Sequence, residues 1–298
     1  MRRRDFLSAG VAALLTACSR GRVGPEPGPV VNEVVLPRMS GKVGIGIHEI
    51  TRKSLDLAWA MGMWRVRTTV YLDEWRLNDF QYRFEEQMAA TRGSSPLLVL
   101  HGWSGSDDEY IRICKEVAFW APHASLQLWN EVDQGFPGSE RFGRSPGKYA
   151  LFLERAYGRI KAEHPEVPIV ASGLMAEGVE LARWVEAVEP FCDVVAVHAY
   201  GFPVRERMQR AHTIARGCTD KKIWCTEWGI EKAVLPPGWS TPWEETQLDQ
   251  IKECIATDPF DRSYLHVLWD GRPESHAIMR PDWTPTATAN WLLDGRAV

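Results

Sequence analysis

From Gly41 onward, the chain repeats one pattern of hydrophobic and polar positions. Each repeat begins with a short apolar run, continues with a loop of polar or aromatic residues, and ends with a longer amphipathic stretch. Short apolar runs bounded by turn residues are typical of buried strands, and amphipathic stretches are typical of helices that cover them. Eight such repeats follow one another, which predicts alternating strands and helices.

The predicted strands and helices have lengths common in α/β proteins. The predicted strands are residues 43–48, 64–70, 97–101, 125–129, 169–172, 194–198, 223–226 and 264–269. The predicted helices are residues 54–61, 82–91, 108–120, 146–164, 179–188, 205–216, 244–256 and 286–293. This alternation predicts an α/β fold, a single (β/α)8 TIM barrel spanning residues 41–298. A doubly wound sheet would also alternate, but no Gly-x-Gly-x-x-Gly follows the first strand.

Polar and aromatic side chains stand at the C-terminal ends of the predicted strands, which surround a single pocket in a barrel. In strand order they are His48 and Glu49, Arg67 and Tyr71, His101 and Trp103, Asn130 and Glu131, Ser172 and Met175, His198 and Tyr200, Glu227 and Trp228, and Trp269 and Asp270. A barrel that needs only stability has no use for such a set. The pattern therefore predicts a functional site at this end.

Glu131 and Glu227 are the two carboxylates with the most unusual setting, and Glu227 lies between aromatic residues at the end of an apolar run. Two carboxylates facing each other across a pocket suit glycosidic bond cleavage, because one protonates the leaving oxygen while the other attacks the anomeric carbon. The attacking carboxylate needs a cation or hydrogen-bond donors to stay ionised. Arg67 and Tyr200 are the candidates for those two roles.

These positions resemble clan A of the glycoside hydrolases, which are retaining enzymes on (β/α)8 barrels. In that clan the acid/base follows strand four and the nucleophile follows strand seven. The resemblance implies that Glu131, in Asn130-Glu131, is the acid/base and that Asn130 binds the sugar 2-hydroxyl. It implies that Glu227, in Trp-Cys-Thr-Glu-Trp-Gly, is the nucleophile.

The resemblance extends to residues that support the two acids and covers the whole barrel. Arg67 is similar to the strand-two arginine near the nucleophile, and His198 with Tyr200 is similar to the strand-six His-x-Tyr pair. Trp269 is similar to the strand-eight tryptophan beneath the reactive sugar. The resemblance implies a carbohydrate substrate, without a family within the clan, a sugar or a linkage.

Four further side chains at the strand ends are candidates for substrate binding. His48 and His101 are candidates to line the glycone pocket, and a structural role in the core is equally open for both. Trp103 and Trp228 are candidates for stacking on sugar rings, whose apolar faces aromatic side chains can cover. Whether the enzyme acts within chains or at their ends stays open.

Composition and charge narrow the range of partners. The net charge of -4 and the absence of a basic run argue against nucleic-acid binding. No metal-ligand motif and no nucleotide signature is present, so we expect neither a metal nor a cofactor. We also expect a monomer. Beyond Cys18, the thiols are Cys114, Cys192, Cys218, Cys225 and Cys254. All but Cys218 lie in apolar runs, where buried unpaired thiols are expected.

The N-terminal segment has the features of an export signal. Three arginines at positions 2–4 precede an apolar run and the sequence Leu-Thr-Ala-Cys, which ends at Cys18. Residues 1–17 therefore resemble a bacterial lipoprotein signal peptide with a twin-arginine motif, and this implies lipidation of Cys18. Residues 18–40, rich in proline and glycine, are predicted to be a tether. We expect an exported protein of the bacterial cell envelope, anchored to a membrane by its lipid.

Two other functions fit parts of the same pattern. A metal-dependent isomerase or hydrolase on this barrel could use His48, His101, His198 and the two glutamates as ligands, although the positive charge of Arg67 would disfavour a bound cation. A lipoprotein that binds carbohydrate without cleaving it would keep the aromatic residues and leave the acids unused.

Overall fold

The computed structural model describes residues 41–48, 50–76, 80–91, 94–136, 139–230, 232–236, 238, 240–272 and 275–294. The predicted signal peptide, the predicted lipidation site Cys18, the predicted tether and Glu49 lie outside the described residues. Among the described helices, none has both the length and the apolar character that crossing a membrane requires.

Eight parallel strands form a closed barrel in sequence order, and β1 pairs with β8 to complete it. The strands are β1 (Val43–Gly46), β2 (Val66–Tyr71), β3 (Leu97–His101), β4 (Ser125–Leu128), β5 (Ile169–Val170), β6 (Val194–Tyr200), β7 (Lys222–Gly229) and β8 (Arg262–Leu265). The prediction of a (β/α)8 barrel is confirmed. The largest differences from prediction are at β6 and β7, which extend beyond the predicted ends, and at β8, which ends earlier.

A helix follows each strand and covers the outside of the barrel. The helices are α1 (Arg52–Ala60), α2 (Phe80–Ala90), α3 (Asp107–Trp120), α4 (Pro146–Glu163), α5 (Gly178–Val188), α6 (Val204–Cys218), α7 (Trp243–Thr257) and α8 (Ala287–Leu293). Several begin where the sequence supplies a cap. The side chain of Ser145 accepts a hydrogen bond from the backbone of Lys148, and Pro146 occupies the first turn of α4. Such caps satisfy backbone donors that the first turn leaves free.

The apolar residues form two layers. The larger core lies between the barrel and its helices, and the smaller one fills the barrel interior. The interior cluster consists of Leu97, Val170, Val194, Ala196, Trp224 and Tyr264. The five described cysteines carry free thiols, and all but Cys218 are buried, as expected from their apolar runs.

Strand β7 has one residue more than strand β6 in the segment where the two strands pair. Val197 of β6 pairs with Cys225, but the next residue, His198, pairs with Glu227. Thr226 is therefore an additional residue that interrupts the alternation of inward and outward side chains. Trp224 faces the barrel interior, so in a strand of regular alternation Glu227, three residues later, would face the helices. The irregularity turns Glu227 into the barrel mouth.

Candidate active site

A cavity of about 240 Å³ opens at the C-terminal end of the barrel. Its lining residues lie in or just after six of the eight strands, and most of them are polar: Gly46, Ile47, His48, Arg67, Thr68, Thr69, Tyr71, His101, Asn130, Glu131, Glu227, His266 and Val267. Both predicted catalytic acids are in this set, together with Arg67, Asn130, His48 and His101. Six of the predicted site residues thus meet in one cavity.

Two side chains bind the carboxylate of Glu227, and a third lies beside it. The guanidinium of Arg67 on β2 forms an ion pair with Glu227 Oε1, and the hydroxyl of Tyr200 on β6 donates to Oε2. Nδ1 of His266, just after β8, lies 3.5 Å from Oε2. Arg67 also donates to Asn130 Oδ1 at 3.1 Å, so one cation connects the strand-two, strand-four and strand-seven residues.

The surroundings of Glu227 keep its carboxylate ionised. Burial raises the pKa of Glu227, but the nearby charge of Arg67 and the hydrogen bond from Tyr200 lower it by more. The pKa of Glu227 therefore lies well below its ordinary value. Burial and the Glu227 charge raise the pKa of Tyr200 well above its ordinary value. Tyr200 therefore stays protonated and donates to the carboxylate.

Glu131 lies three residues beyond β4, in a turn with unusual backbone geometry. Trp129 and Glu131 have φ angles of 67° and 48°, in the left-handed region that non-glycine residues rarely adopt. The turn is fixed by hydrogen bonds from Glu131 N to the oxygen of Gly173 at 3.1 Å and from Gln134 N to the oxygen of Glu131 at 2.9 Å. The side chain is thereby directed into the cavity.

His198 links the two acids. Its Nδ1 lies 2.6 Å from Glu131 Oε1, and its Nε2 lies 3.1 Å from the hydroxyl of Thr226 and 3.7 Å from Glu227 Oε1. The ring is fully buried against Gly173, where a Cβ atom would lie only 2.0 Å from Nε2. Glycine is therefore required at position 173, a constraint that the spacing of motifs did not reveal.

His266 is a cavity residue that the sequence pattern missed. The predicted eighth strand extended to Trp269, which placed His266 in a strand interior, whereas β8 ends at Leu265. His266 therefore follows the strand directly and lines the cavity. Burial lowers the pKa of His266 to about 3, with Arg67 also lowering it, so the imidazole is neutral near pH 7.

The structure places three predicted tryptophans elsewhere. Trp269 does not line the catalytic cavity but a neighbouring hollow, where it stacks on Trp283. Trp103 is buried, and its indole donates to the backbone oxygen of Ser106 at 2.8 Å. Trp228 is buried in the outer core, because the additional residue Thr226 leaves it facing the helices. Neither Trp103 nor Trp228 is positioned to contact a sugar.

The two histidines predicted for the glycone pocket both line the cavity. His48 is exposed, and burial of part of its ring lowers its pKa. Burial also lowers the pKa of His101, whose buried Nδ1 has no hydrogen-bond partner among the described residues. Both rings are therefore neutral hydrogen-bonding groups near pH 7, and that suits contact with hydroxyl groups.

Glu131, His198 and Glu227 also have the composition of a metal site. One ligand atom from each lies within 4.8 Å of the others. However, the guanidinium of Arg67 is paired with Glu227, and both nitrogens of His198 lie within hydrogen-bonding distance of an oxygen atom. A divalent cation at this position would have to displace or repel the arginine, so the arrangement fits acid–base chemistry better than metal binding.

The chain matches known proteins in its three-dimensional structure. No protein-family model matches the sequence, and no curated protein matches it. Among solved structures, the chain is similar to a monomeric β-xylosidase from Caulobacter crescentus CB15, with a TM-score of 0.60 and 13% identity over 88% of this chain and 70% of that one.

Two glucanase structures show the same likeness. For the catalytic domain of the major endoglucanase from Xanthomonas campestris pv. campestris, the TM-score is 0.59 at 15% identity, over 85% of this chain and 94% of that one. For a mutant GH128 endo-β-1,3-glucanase from Amycolatopsis mediterranei in complex with laminarihexaose, it is 0.58 at 14% identity, over 85% and 99%. The chain has the barrel fold of these glycoside hydrolases. This agrees with the resemblance to clan A.

Proposed function

We propose that the protein is a retaining glycoside hydrolase that cleaves an O-glycosidic bond in an oligo- or polysaccharide. The observation that supports the proposal most strongly is the pair Glu131 and Glu227, whose carboxylate oxygens approach within 4.8 Å across the cavity. Retaining enzymes separate the two carboxyl groups by about 5–5.5 Å, whereas inverting enzymes separate them by about 6.5–9.5 Å. In inverting enzymes the larger distance accommodates a water molecule between the base and the anomeric carbon, so the shorter spacing here favours direct attack by Glu227.

In the first step, Glu227 attacks the anomeric carbon while Glu131 protonates the departing oxygen. The glycosidic C–O bond breaks, a covalent bond to a Glu227 oxygen forms, and the leaving group departs as an alcohol. Arg67 and Tyr200 keep Glu227 ionised before attack. Asn130, fixed by the Arg67 guanidinium, is placed to bind the sugar 2-hydroxyl.

In the second step, Glu131 acts as a base and removes a proton from water, which attacks the same carbon from the side that the leaving group vacated. The bond to Glu227 breaks, and the sugar is released with its original configuration. Glu131 must therefore gain and lose a proton in each cycle. The imidazole of His198, 2.6 Å away, holds its carboxyl group in place during both steps.

The experiment that tests this function is replacement of Glu227 with alanine, followed by addition of azide. We expect activity on an activated aryl β-glycoside to fall by about 10⁵-fold, because the covalent route is lost. Azide should restore turnover and give a glycosyl azide of inverted configuration, identified by NMR. Wild-type activity in the variant would overturn the proposal, and a chelator control on the wild-type protein tests the metal-dependent alternative.

The structural neighbours motivate the choice of substrates. The β-xylosidase and the β-1,3-glucanase are named for β-linked sugars, so we propose a β-linked glycan as the substrate of this chain. We also propose a monomer that is lipidated at Cys18 and held at the bacterial cell envelope. Metabolic labelling with an alkyne fatty acid should mark the wild-type protein and leave Cys18→Ala unlabelled; equal labelling would exclude this anchor.

A further inference from the structure

A second hollow, of about 170 Å³, lies beside the catalytic cavity. Its walls come from the segment after β1, the start of α1 and the segment after β8: Ile47, His48, Thr51, Ser54, Leu268, Trp269 and Trp283. Ile47 and His48 also line the catalytic cavity. The two spaces are therefore adjacent, and a molecule bound in one can continue into the other.

The outer wall of this hollow is a pair of stacked indole rings. The ring centroids of Trp269 and Trp283 are 5.1 Å apart, and their planes differ by 10°. Trp269 is fixed further by a hydrogen bond of 3.1 Å from its indole nitrogen to the oxygen of Pro281. Because the rings are parallel, the stack presents the outer face of an indole, a flat apolar surface of the kind that packs against one face of a sugar ring.

The loop that carries Trp283 holds it in a strained conformation. Its φ angle is 66°, in the left-handed region that non-glycine residues rarely adopt. The loop is fixed by Arg280, which accepts a backbone hydrogen bond from Trp283 and pairs with Glu244 of α7 through two contacts of 2.8 Å. Strain that the surrounding contacts maintain is concentrated at functional sites in proteins. The position of the Trp283 ring is therefore imposed by the loop.

Polar groups supplement the apolar wall in the way sugar recognition requires. The neutral imidazole of His48 is exposed between the two spaces, and the ammonium of Lys53 lies 4.2 Å from the centroid of the Trp283 ring. A sugar presents an apolar face and a rim of hydroxyl groups. The stacked rings match the face, and His48 with Lys53 matches the rim.

The position of the hollow determines which part of a substrate would occupy it. Glu131 follows β4 and protonates the leaving group, so the leaving group departs on that side of the barrel. The hollow lies between β8 and β1, and in a closed eight-stranded barrel β8 is opposite β4. A sugar in this hollow would be joined to the non-reducing side of the ring whose anomeric carbon Glu227 attacks.

We propose that the Trp269–Trp283 hollow is a second sugar subsite, which binds the ring preceding the one attacked by Glu227. The proposal rests on the proposed glycosidase function. It implies a substrate with at least two sugar units on the non-reducing side of the cleaved bond. Trp283, on an anchored loop beyond the barrel, would then determine a preference for longer substrates without touching the reacting atoms.

The test compares Trp283→Ala with the wild-type protein on paired chromogenic substrates. These are 4-nitrophenyl β-glucoside and β-xyloside and the corresponding β-cellobioside, β-laminaribioside and β-xylobioside. For the disaccharide glycoside that the wild-type protein hydrolyses, we expect kcat/KM of the variant to fall by about tenfold to a hundredfold, since one stacking contact is lost. On the matching monosaccharide substrate, it should change by less than about twofold. Trp283→Phe retains an aromatic ring and should restore most of the loss.

Trp64→Ala is the matched control. Trp64 also stacks on another tryptophan, Trp59, with centroids 6.1 Å apart, but it lies just before β2, at the opposite end of the barrel. Its replacement should leave kcat/KM unchanged on both the disaccharide and the monosaccharide substrate. An equal loss on both substrates, or no loss on the disaccharide, overturns the second subsite. Wild-type turnover no greater than that of Glu227→Ala on every substrate would instead overturn the glycosidase function itself, and the subsite with it.

Discussion

Glu227 lies inside a strand among charged and hydrogen-bonding partners, whereas Glu131 lies beyond a strand end in a tight turn. The two side chains are almost equally exposed, at 8% and 11%. Burial therefore does not distinguish them. The difference lies in their contacts: Glu227 has Arg67 and Tyr200, while the imidazole of His198 is the closest partner of Glu131.

This difference teaches how one cavity assigns two roles to the same residue type. A carboxylate beside a fixed guanidinium stays ionised, which suits a nucleophile. The carboxyl group of Glu131 has an imidazole and not a guanidinium as its closest partner, an arrangement that suits an acid/base. Neighbouring strands β2 and β6 supply the partners of Glu227, whereas the turn after β4 places Glu131 beside His198.

The largest expected effect comes from removing the cation. Arg67→Met leaves Glu227 buried without its ion pair, and breaking such a pair costs about 3–5 kcal/mol of stability. We expect kcat/KM to fall by about 10²- to 10³-fold. Because Arg67 lowers the pKa of Glu227 in the folded protein, its loss raises that pKa, and the acid limb of the pH profile should move to higher pH.

Arg65→Met is the control for that experiment. Arg65 lies two residues earlier, just before β2, and donates to the backbone oxygen of Gly41 at the other end of the barrel. Its loss should affect stability and leave the acid limb in place. An acid limb that does not move in Arg67→Met would mean that the guanidinium does not keep the nucleophile ionised, and the contrast between the two acids would disappear.

A smaller, substrate-dependent effect is expected for Glu131→Ala. General acid catalysis contributes about 10²- to 10⁴-fold, so substrates with a sugar leaving group should lose activity on that scale. Substrates with a dinitrophenol leaving group need no proton, and their first step should be almost unchanged. Azide should give a product of retained configuration, opposite to that from Glu227→Ala. The same loss on both substrate classes would contradict the acid role of Glu131.

The smallest effect is expected for His266→Asn. Its pKa of about 3 in the folded protein lies below the ordinary histidine value of about 6.5, so between these values only the unfolded chain binds the additional proton. Wild-type stability therefore falls as pH decreases from about 6.5 toward 3, and urea unfolding of the variant should show a smaller fall. The acid limb of activity should not move. An upward shift would show that His266 is charged beside Glu227.

The barrel and most of the site could be predicted from the sequence because both follow from local patterns. Apolar runs define the strands, and the residues that end them reach the same pocket in any parallel barrel. Arg67, Asn130, Glu131, His198 and Glu227 were therefore found without a structure. Their roles in catalysis remain proposals that the mutations above test.

The tryptophans and His266 could not be placed in the same way. An indole satisfies its polar atom equally well in a core, as Trp103 does with Ser106, so residue type does not indicate which face it occupies. His266 depended on a strand boundary, which is the least reliable feature of a sequence pattern. The outward position of Trp228 depended on pairing between β6 and β7, and a single strand does not encode that pairing.

The additional residue in β7 also bears on protein design. Idealised barrels are built from strands of regular alternation, and a nucleophile copied onto such a strand at the spacing found here would point into the surrounding helices. Transplanting this pair of acids into another scaffold therefore means transferring Thr226 together with Glu227. A strand that kept Thr226 but alternated regularly would exchange the faces of Glu227 and Trp228, although its sequence would be unchanged.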